Sequence, residues 1–167
     1  MQRVLLGLGT NLGDKIKNLQ IALKALSNQL GEITKISSVY ETEAWGVQNQ
    51  DNYYNIVIEI NTNFFPLGLI QKILAIESSL GRIREKKWDS RIIDIDILFY
   101  ENYVISTDHL RLPHPFLEKR NFVLEPLNEV VRDFTHPKLR KTISELKSTC
   151  SDKSWIKKLN IKLQREL

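Results

Sequence analysis

Apolar residues recur along the chain with two different periods, and the order of those periods predicts the architecture. Arg3 to Gly9 is a nearly continuous apolar run and predicts a first strand. The turn-rich stretch Gly9-Thr10-Asn11-Leu12-Gly13-Asp14 follows, with Asp14 placed to cap a helix. Ile16, Leu19, Leu23, Leu26 and Leu30 then fall on one face of a 3.6-residue repeat, and Gly31 is placed to stop it. Ile33 to Tyr40 reads as a β-type segment through Ile33, Ile36, Val39 and Tyr40. Thr42 to Asn52 has no such period and predicts a mobile loop between strands. Tyr53 to Asn61 alternates, with Tyr54, Ile56, Ile58 and Ile60 on one side and Tyr53, Asn55, Val57 and Glu59 on the other.

Pro66 suits the first turn of a second helix, which Gly81 closes. Leu67, Ile70, Ile73, Leu74, Glu77 and Leu80 are predicted to share its inner side, so the lone carboxylate Glu77 needs a partner or a task. A basic loop, Arg82 to Lys87, leads into the stretch from Trp88 to Tyr100, rich in Ile and Phe as a buried strand should be. Tyr100 to Val104 predicts a hairpin turn and return, and Leu112-Pro113-His114-Pro115 a rigid extended corner. Phe122 to Val131 predicts a short helix with Pro126 near its start. Helical spacing recurs at Ile143 and Leu146, then at Trp155, Leu159 and Leu163. The order β-α-β-β-α-β predicts an α+β, ferredoxin-like fold: an antiparallel sheet with helices on one face. One domain spans 1–167, with 138–167 a basic helical extension that covers the other face or extends the helical layer.

Composition changes the picture only in part. At 167 residues, 42% hydrophobic and 26% charged, the chain is ordinary for a globular domain with a sizeable core. It has no run of about 20 apolar residues and no signal-peptide pattern at its start, and Cys150 has no second cysteine to pair with. These features fit a cytoplasmic, reducing setting. The formal charge is +4, which raises the question of nucleic acid. Its distribution answers against that partner: 138–167 carry nine basic and three acidic residues, while 1–137 carry fifteen and seventeen.

The chemistry gathers at Asp94 and Asp96, since Asp is depleted from strands and buried charges need partners or a metal. Alternation places both on one face, with Ile93, Ile95, Ile97 and Phe99 on the other. Their Cα atoms should lie about 7 Å apart, a spacing at which two carboxylates converge on hard cations such as Mg²⁺. The competing reading pairs them with nearby arginines. Arg82, Arg84, Lys86, Lys87 and Arg91 supply cations suited to phosphoryl groups, and His114 and Arg120 add two more. No G-x-x-x-x-G-K-[ST] cradle is present, so a nucleotide must be held by side chains and metal. Tyr53, Trp45, Trp88 and Phe122 border loops or polar positions, where two rings can sandwich a flat heterocycle while an amide such as Asn55 reads its edge.

These residues also carry a family resemblance. Leu6-Gly7-Leu8-Gly9-Thr10-Asn11-Leu12-Gly13-Asp14, Ser37-Ser38-Val39-Tyr40-Glu41-Thr42, Gly46-Val47-Gln48-Asn49-Gln50 and Tyr53-Tyr54-Asn55 come first. Glu77, Gly81-Arg82-Ile83-Arg84, Arg91-Ile92-Ile93-Asp94-Ile95-Asp96-Ile97-Leu98, Leu112-Pro113-His114-Pro115 and Arg120-Asn121-Phe122-Val123-Leu124 follow in order. In this order and spacing the chain resembles the 6-hydroxymethyl-7,8-dihydropterin pyrophosphokinases of folate biosynthesis, also called 2-amino-4-hydroxy-6-hydroxymethyldihydropteridine diphosphokinases. The resemblance implies transfer of pyrophosphate from ATP to the pterin hydroxymethyl group, with release of AMP. It implies two Mg²⁺ ions on Asp94 and Asp96, and Arg82 and Arg84 closing over the phosphates. It implies Arg91, His114 and Arg120 on the triphosphate, and Glu77 and Ile97 at the nucleoside end. The pterin is expected between Tyr53 and Phe122, with Thr42 and Asn55 on its polar edge and Trp88 folding over the site. The expected partners are ATP and the pterin, with no nucleic acid or membrane, and the expected state is a monomer. Glu43, Leu74, Asp89 and His109 depart from the family's usual residues.

Two other classes fit parts of the pattern. A ferredoxin-like module binding RNA or a small ligand predicts aromatics on exposed strand faces and steep salt dependence. A metal-dependent phosphatase or nuclease keeps the aspartates but leaves the aromatic and Asn55 arrangement without a use.

Overall fold

The computed structural model describes residues 1–43, 51–81 and 92–164. Strand β1 (Gln2–Thr10) leads into helix α1 (Lys15–Gln29), whose N-cap Asp14 accepts the Lys17 N–H at 3.0 Å. The predicted segment from Ile33 to Tyr40 is two strands, β2 (Gly31–Ile36) and β3 (Tyr40–Thr42). Both lie along the long strand β4 (Tyr53–Thr62), at its opposite ends. At the break, the Ser37 hydroxyl accepts the Val57 N–H at 2.9 Å, so a side chain replaces a ladder bond there. Helix α2 (Pro66–Ser79) then leads to β5 (Asp94–Tyr100).

The large sheet runs β5-β1-β4-β3-β8, with β2 also on β4, and every pairing is antiparallel. This is the expected ferredoxin-like order. Helices α1 and α2 share one face, as expected of this order, and two later helices, the second of them in the C-terminal extension, cover the other. Helices α1 and α2 bury Leu19, Leu23, Leu26, Leu69, Ile73 and Ile76 against Val4, Leu6, Leu8, Ile56, Ile58 and Ile60. Helices α3 (Asn121–Val131) and α4 (Ile143–Ser148) bury Val123, Leu124, Leu127, Ile143 and Leu146 against Leu5, Val57, Leu98 and Phe99.

Four local expectations are corrected. Helix α2 carries two adjoining apolar stripes, and it turns Leu69, Ile73, Ile76 and Glu77 inward while Leu67 and Leu74 stay exposed. Pro126 lies inside α3 rather than near its start. The chain after β5 does not return along it. It turns at Tyr100 to Tyr103, and β6 (Ile105–Ser106) pairs with β7 (Arg111–Leu112) as a separate ribbon. In the C-terminal extension α4 stands where Ile143 and Leu146 predict it, but the segment after Trp155 is strand β8 (Ile156–Lys158) on β3. There Leu159, Ile161 and Leu163 follow a period of two against the α1/α2 core, and pairing with a distant strand overrides the helical spacing.

Candidate active site

Strand register builds the site. Asn55 stands opposite Gly9, and Gly9 opposite Asp94; Val57, Gly7 and Asp96 form the next row. Residues directly opposite one another share a face, so Asp94, Asp96 and Asn55 all emerge on the α3 side. The glycines between them carry no side chain, and the trough they leave between Asp94 and Asn55, two strand spacings or about 10 Å across, is narrowed by Leu98 against Gly7 and by Asn55 Oδ1 against Gly9. A Cβ on Gly9 would sit 3.0 Å from Asn55 Oδ1, so a side chain there would have to displace the Asn55 amide. Sequence reasoning missed this floor; its signal was two glycines at period two inside an apolar strand.

On one side of the trough, Asp94 and Asp96 alternate with the buried Ile93, Ile95 and Ile97, and the Asp96 side chain is 49% exposed. The register slips between Leu5 and Leu6, which leaves Leu98 as a bulged residue. Leu98 and Phe99 therefore both face the α3 core, which corrects the expectation that Phe99 joins Ile93, Ile95 and Ile97. The His114 N–H donates to the Leu98 carbonyl at 2.9 Å, anchoring the corner beside the carboxylates. His114 Nε2 lies 3.9 Å from Asp96 Oδ2, too far for a hydrogen bond. Its Nδ1 is buried with no hydrogen-bond partner among the described residues.

On the other side, buried Asn55 donates from Nδ2 to Thr42 Oγ1 at 2.8 Å. Tyr53 is half-buried and pairs with Thr42 across the ladder. Half-buried Phe122 is the second residue of α3, after Asn121 and the N-cap Arg120. The Tyr40 hydroxyl donates to Glu129 Oε2 at 2.8 Å, and the Ser38 hydroxyl to Oε1 at 2.9 Å. Burial and then Glu129 push the Tyr40 phenol well above its ordinary value. The Glu129 carboxyl is held below the usual range, because the Tyr40 and Ser38 hydroxyls and Lys158 outweigh the upward push of burial. This network locks α3 onto β3.

Two expected site residues stand apart from the trough. Glu77 comes from α2 on the opposite face, is 1% exposed, and its Oε1 accepts the Ile95 N–H at 2.7 Å. The carboxylate the sequence singled out is thus a clamp on the main chain of edge strand β5. Ile97 points its side chain into the α1/α2 core, and its main chain runs along that same edge. Arg82, Arg84, Trp88 and Arg91 lie outside the described residues, as do Trp45 and the Gly46 to Gln50 stretch.

Among the described residues no group of three His, Cys, Asp or Glu side chains forms a closed metal cage. A pair of carboxylates with room beside it matches the way Mg²⁺ is held, through one or two protein oxygens and the phosphates of a substrate. Among the described residues no helix is long and apolar enough to cross a membrane.

The fold and the trough define a ferredoxin-like domain with an acidic edge and an amide-and-aromatic edge facing each other. Comparison with known proteins gives that class its family. The family model described as 7,8-dihydro-6-hydroxymethylpterin-pyrophosphokinase matches residues 5–132. The chain is 47% identical over 147 residues to the 2-amino-4-hydroxy-6-hydroxymethyldihydropteridine pyrophosphokinase of Aquifex aeolicus, covering 88% of this chain and 91% of that one. The Haemophilus influenzae enzyme of the same name is 37% identical over 154 residues, with 91% and 95% covered. Among solved structures, Plasmodium falciparum HPPK-DHPS A437G superposes with a TM-score of 0.74 at 19% identity, covering 88% of this chain and 45% of that longer one. The chain belongs to the 7,8-dihydro-6-hydroxymethylpterin-pyrophosphokinase family.

Proposed function

We infer that this chain transfers the pyrophosphoryl group of ATP to the hydroxymethyl group of 6-hydroxymethyl-7,8-dihydropterin and releases AMP, a step of folate biosynthesis. The observation that supports the reading is the trough: paired carboxylates on one side, and the Asn55 amide with Tyr53 two residues before it on the other, across a glycine floor. The hydroxyl oxygen bonds to the β-phosphorus as the bridge to the α-phosphate breaks; the hydroxyl proton is released to water, and AMP departs with the bridging oxygen. Asp94 and Asp96 would hold two Mg²⁺ ions, which would supply neutralisation of the phosphate charge during the in-line displacement.

The remaining work falls to the chain's own residues. Tyr53 and Phe122 enclose the pterin ring, and Asn55, oriented by Thr42, bonds its polar edge. The amide reads both donors and acceptors of a flat heterocycle, which a carboxylate could not. His114 and Arg120 hold the triphosphate beside the aspartates, with Arg91 from the preceding loop. Glu77 and the main chain at Ile97 serve the nucleoside end, at the β5 edge. Arg82, Arg84 and Trp88 close the site and exclude water, the competing acceptor. The domain acts as a monomer in the cytoplasm, on ATP and pterin alone.

Titration calorimetry with a non-hydrolysable ATP analogue and Mg²⁺, with and without pterin, tests the reading. Mg²⁺-dependent binding of the analogue, followed by pterin binding, supports it. A chain that binds neither, or that releases phosphate from ATP without a pterin acceptor, overturns it.

A further inference from the structure

Residues 133–164 lie beyond the matched family region, yet they return to the candidate active site. Strand β8 adds to β3 with Ile156 opposite Thr42 and Lys158 opposite Tyr40. The Trp155 N–H donates to Glu43 Oε1 at 3.2 Å, one residue past Thr42. Lys158 Nζ reaches Glu129 on α3 at 3.4 Å, while Asp152 meets the first residue of the same helix. The segment 152–158 therefore runs alongside α3 as a strap, and it fixes which end of the helix lies by the Thr42 end of the sheet.

The first turn of α3 needs outside help. Arg120 at the N-cap makes no side-chain cap bond. Pro126 has no N–H, so the Phe122 carbonyl loses its bond from the following turn. The Arg120 carbonyl accepts the Val123 and Leu124 N–H groups, but the Asn121 N–H has no acceptor within the helix. Asp152 Oδ2 accepts the Asn121 N–H at 2.9 Å, which supplies the missing cap from a distant part of the chain. Asp152 is itself held, since its Oδ1 accepts both the N–H and the hydroxyl of Ser154. Against the upward push of burial, the Ser154 and Asn121 bonds and nearby Lys153 keep its carboxyl below the usual range. It is ionised at neutral pH and complements the positive end of the helix.

We propose that Asp152 is a positioning residue for the pterin: it caps α3 from outside and so fixes the Phe122 ring that covers the heterocycle. The proposal rests on the pyrophosphokinase reading and assigns the strap a part in substrate affinity. Arg120 is anchored separately, through its own N–H on the Leu117 carbonyl at 3.3 Å. Arg120 thus has a hold outside the helix that Phe122 lacks, so loss of the cap should disturb the nucleotide side less than the Phe122 side.

The test compares the unsubstituted chain with Asp152→Ala, Asp152→Asn and Ser154→Ala. The readouts are KM for pterin, kcat, and the calorimetric Kd of pterin and of a non-hydrolysable ATP analogue with Mg²⁺. Asp152→Ala should raise KM and Kd for pterin about tenfold, the scale of one lost cap, while analogue binding moves less than about twofold. Asp152→Asn, which keeps an acceptor oxygen for the Asn121 N–H, should recover most of that loss. If Asp152→Ala does not fold, Ser154→Ala decides, with an expected weakening of pterin of about twofold and no change for the analogue. Unchanged pterin affinity in the folded variant, or equal weakening of both ligands, overturns the proposal. An unsubstituted chain that binds the analogue but never pterin overturns it together with the reading beneath it, a result visible before any variant is made.

Discussion

The two faces of the sheet are made by alternate residues of the same strands, yet they do different work. On the α1/α2 side, Val4, Leu6 and Leu8 of β1 meet Ile56, Ile58 and Ile60 of β4 in an unbroken apolar layer. On the α3 side the same two strands offer Leu5 opposite the buried Glu59, then Gly7 opposite Val57, then Gly9 opposite Asn55. One face is spent entirely on burial. The second is divided along its length: mainly apolar where α3 and α4 cover it, with the one buried carboxylate there, Glu59, held by Thr34 and Lys35, and reduced to glycine and polar groups at the proposed site. The rigid first face is what lets the second leave a trough open, because stability does not depend on filling it.

The largest test of this division strikes the acidic edge. Asp94→Ala or Asp96→Ala should cut pterin-dependent AMP release on the order of a thousandfold while the melting temperature changes little. Full activity in either variant would remove the carboxylates from the mechanism. Adjacent residues of β1 then separate the faces. Leu8→Ala, on the filled face, should cost about 2–5 kcal/mol in denaturant unfolding and leave the pterin Kd of the folded fraction intact. Gly9→Ala, one residue on, should do the reverse. Its Cβ would press on Asn55 Oδ1 at 3.0 Å and disturb the bond to Thr42, weakening pterin binding roughly tenfold by calorimetry with a small change in unfolding midpoint. If Leu8→Ala and Gly9→Ala behave alike, the faces are not functionally distinct.

The same contrast explains how far the sequence could be read. A filled face announces itself: the α1 stripe, its Asp14 cap and the strand order followed from local periodicity. The aspartates were legible too, because carboxylates in an Ile-rich strand are costly without a purpose. What escaped depended on partners remote in sequence. Helix α2 offers two adjoining stripes, and only contact with the sheet chooses between them. The bulge at Leu98, which turns Phe99 to the α3 side, is set by β1 and not by β5's own pattern. Strand β8 exists because Thr42 and its neighbours present an edge to pair with, more than a hundred residues away. The trough floor was hidden for a simpler reason, since glycine signals space only once its neighbours across the sheet are known.

The smallest expected effect tests the covered end of the divided face. His136 is 4% exposed, and its ring meets Phe99 edge-on at 5.3 Å. Its Nδ1 accepts the N–H groups of Lys138 and Leu139, both at 3.2 Å, which only an imidazole unprotonated at Nδ1 can do. Burial lowers its pKa below the ordinary 6.5, with Lys138 adding to the shift while Glu118 and a main-chain bond oppose it. The unfolded chain therefore takes up a proton more readily than the folded one, and stability must rise with pH across that interval. The contribution is complete above the ordinary imidazole value and is lost as pH falls through the folded one. Urea midpoints from pH 8 to pH 5 should fall more steeply for the unsubstituted chain than for His136→Gln, whose amide oxygen can still accept but does not titrate. Because the trough lies at the other end of this face, pterin affinity at pH 7.5 should be the same in both. Parallel pH slopes would show that the covered end carries no buried titration, and a change in pterin affinity would show that the two ends are not independent.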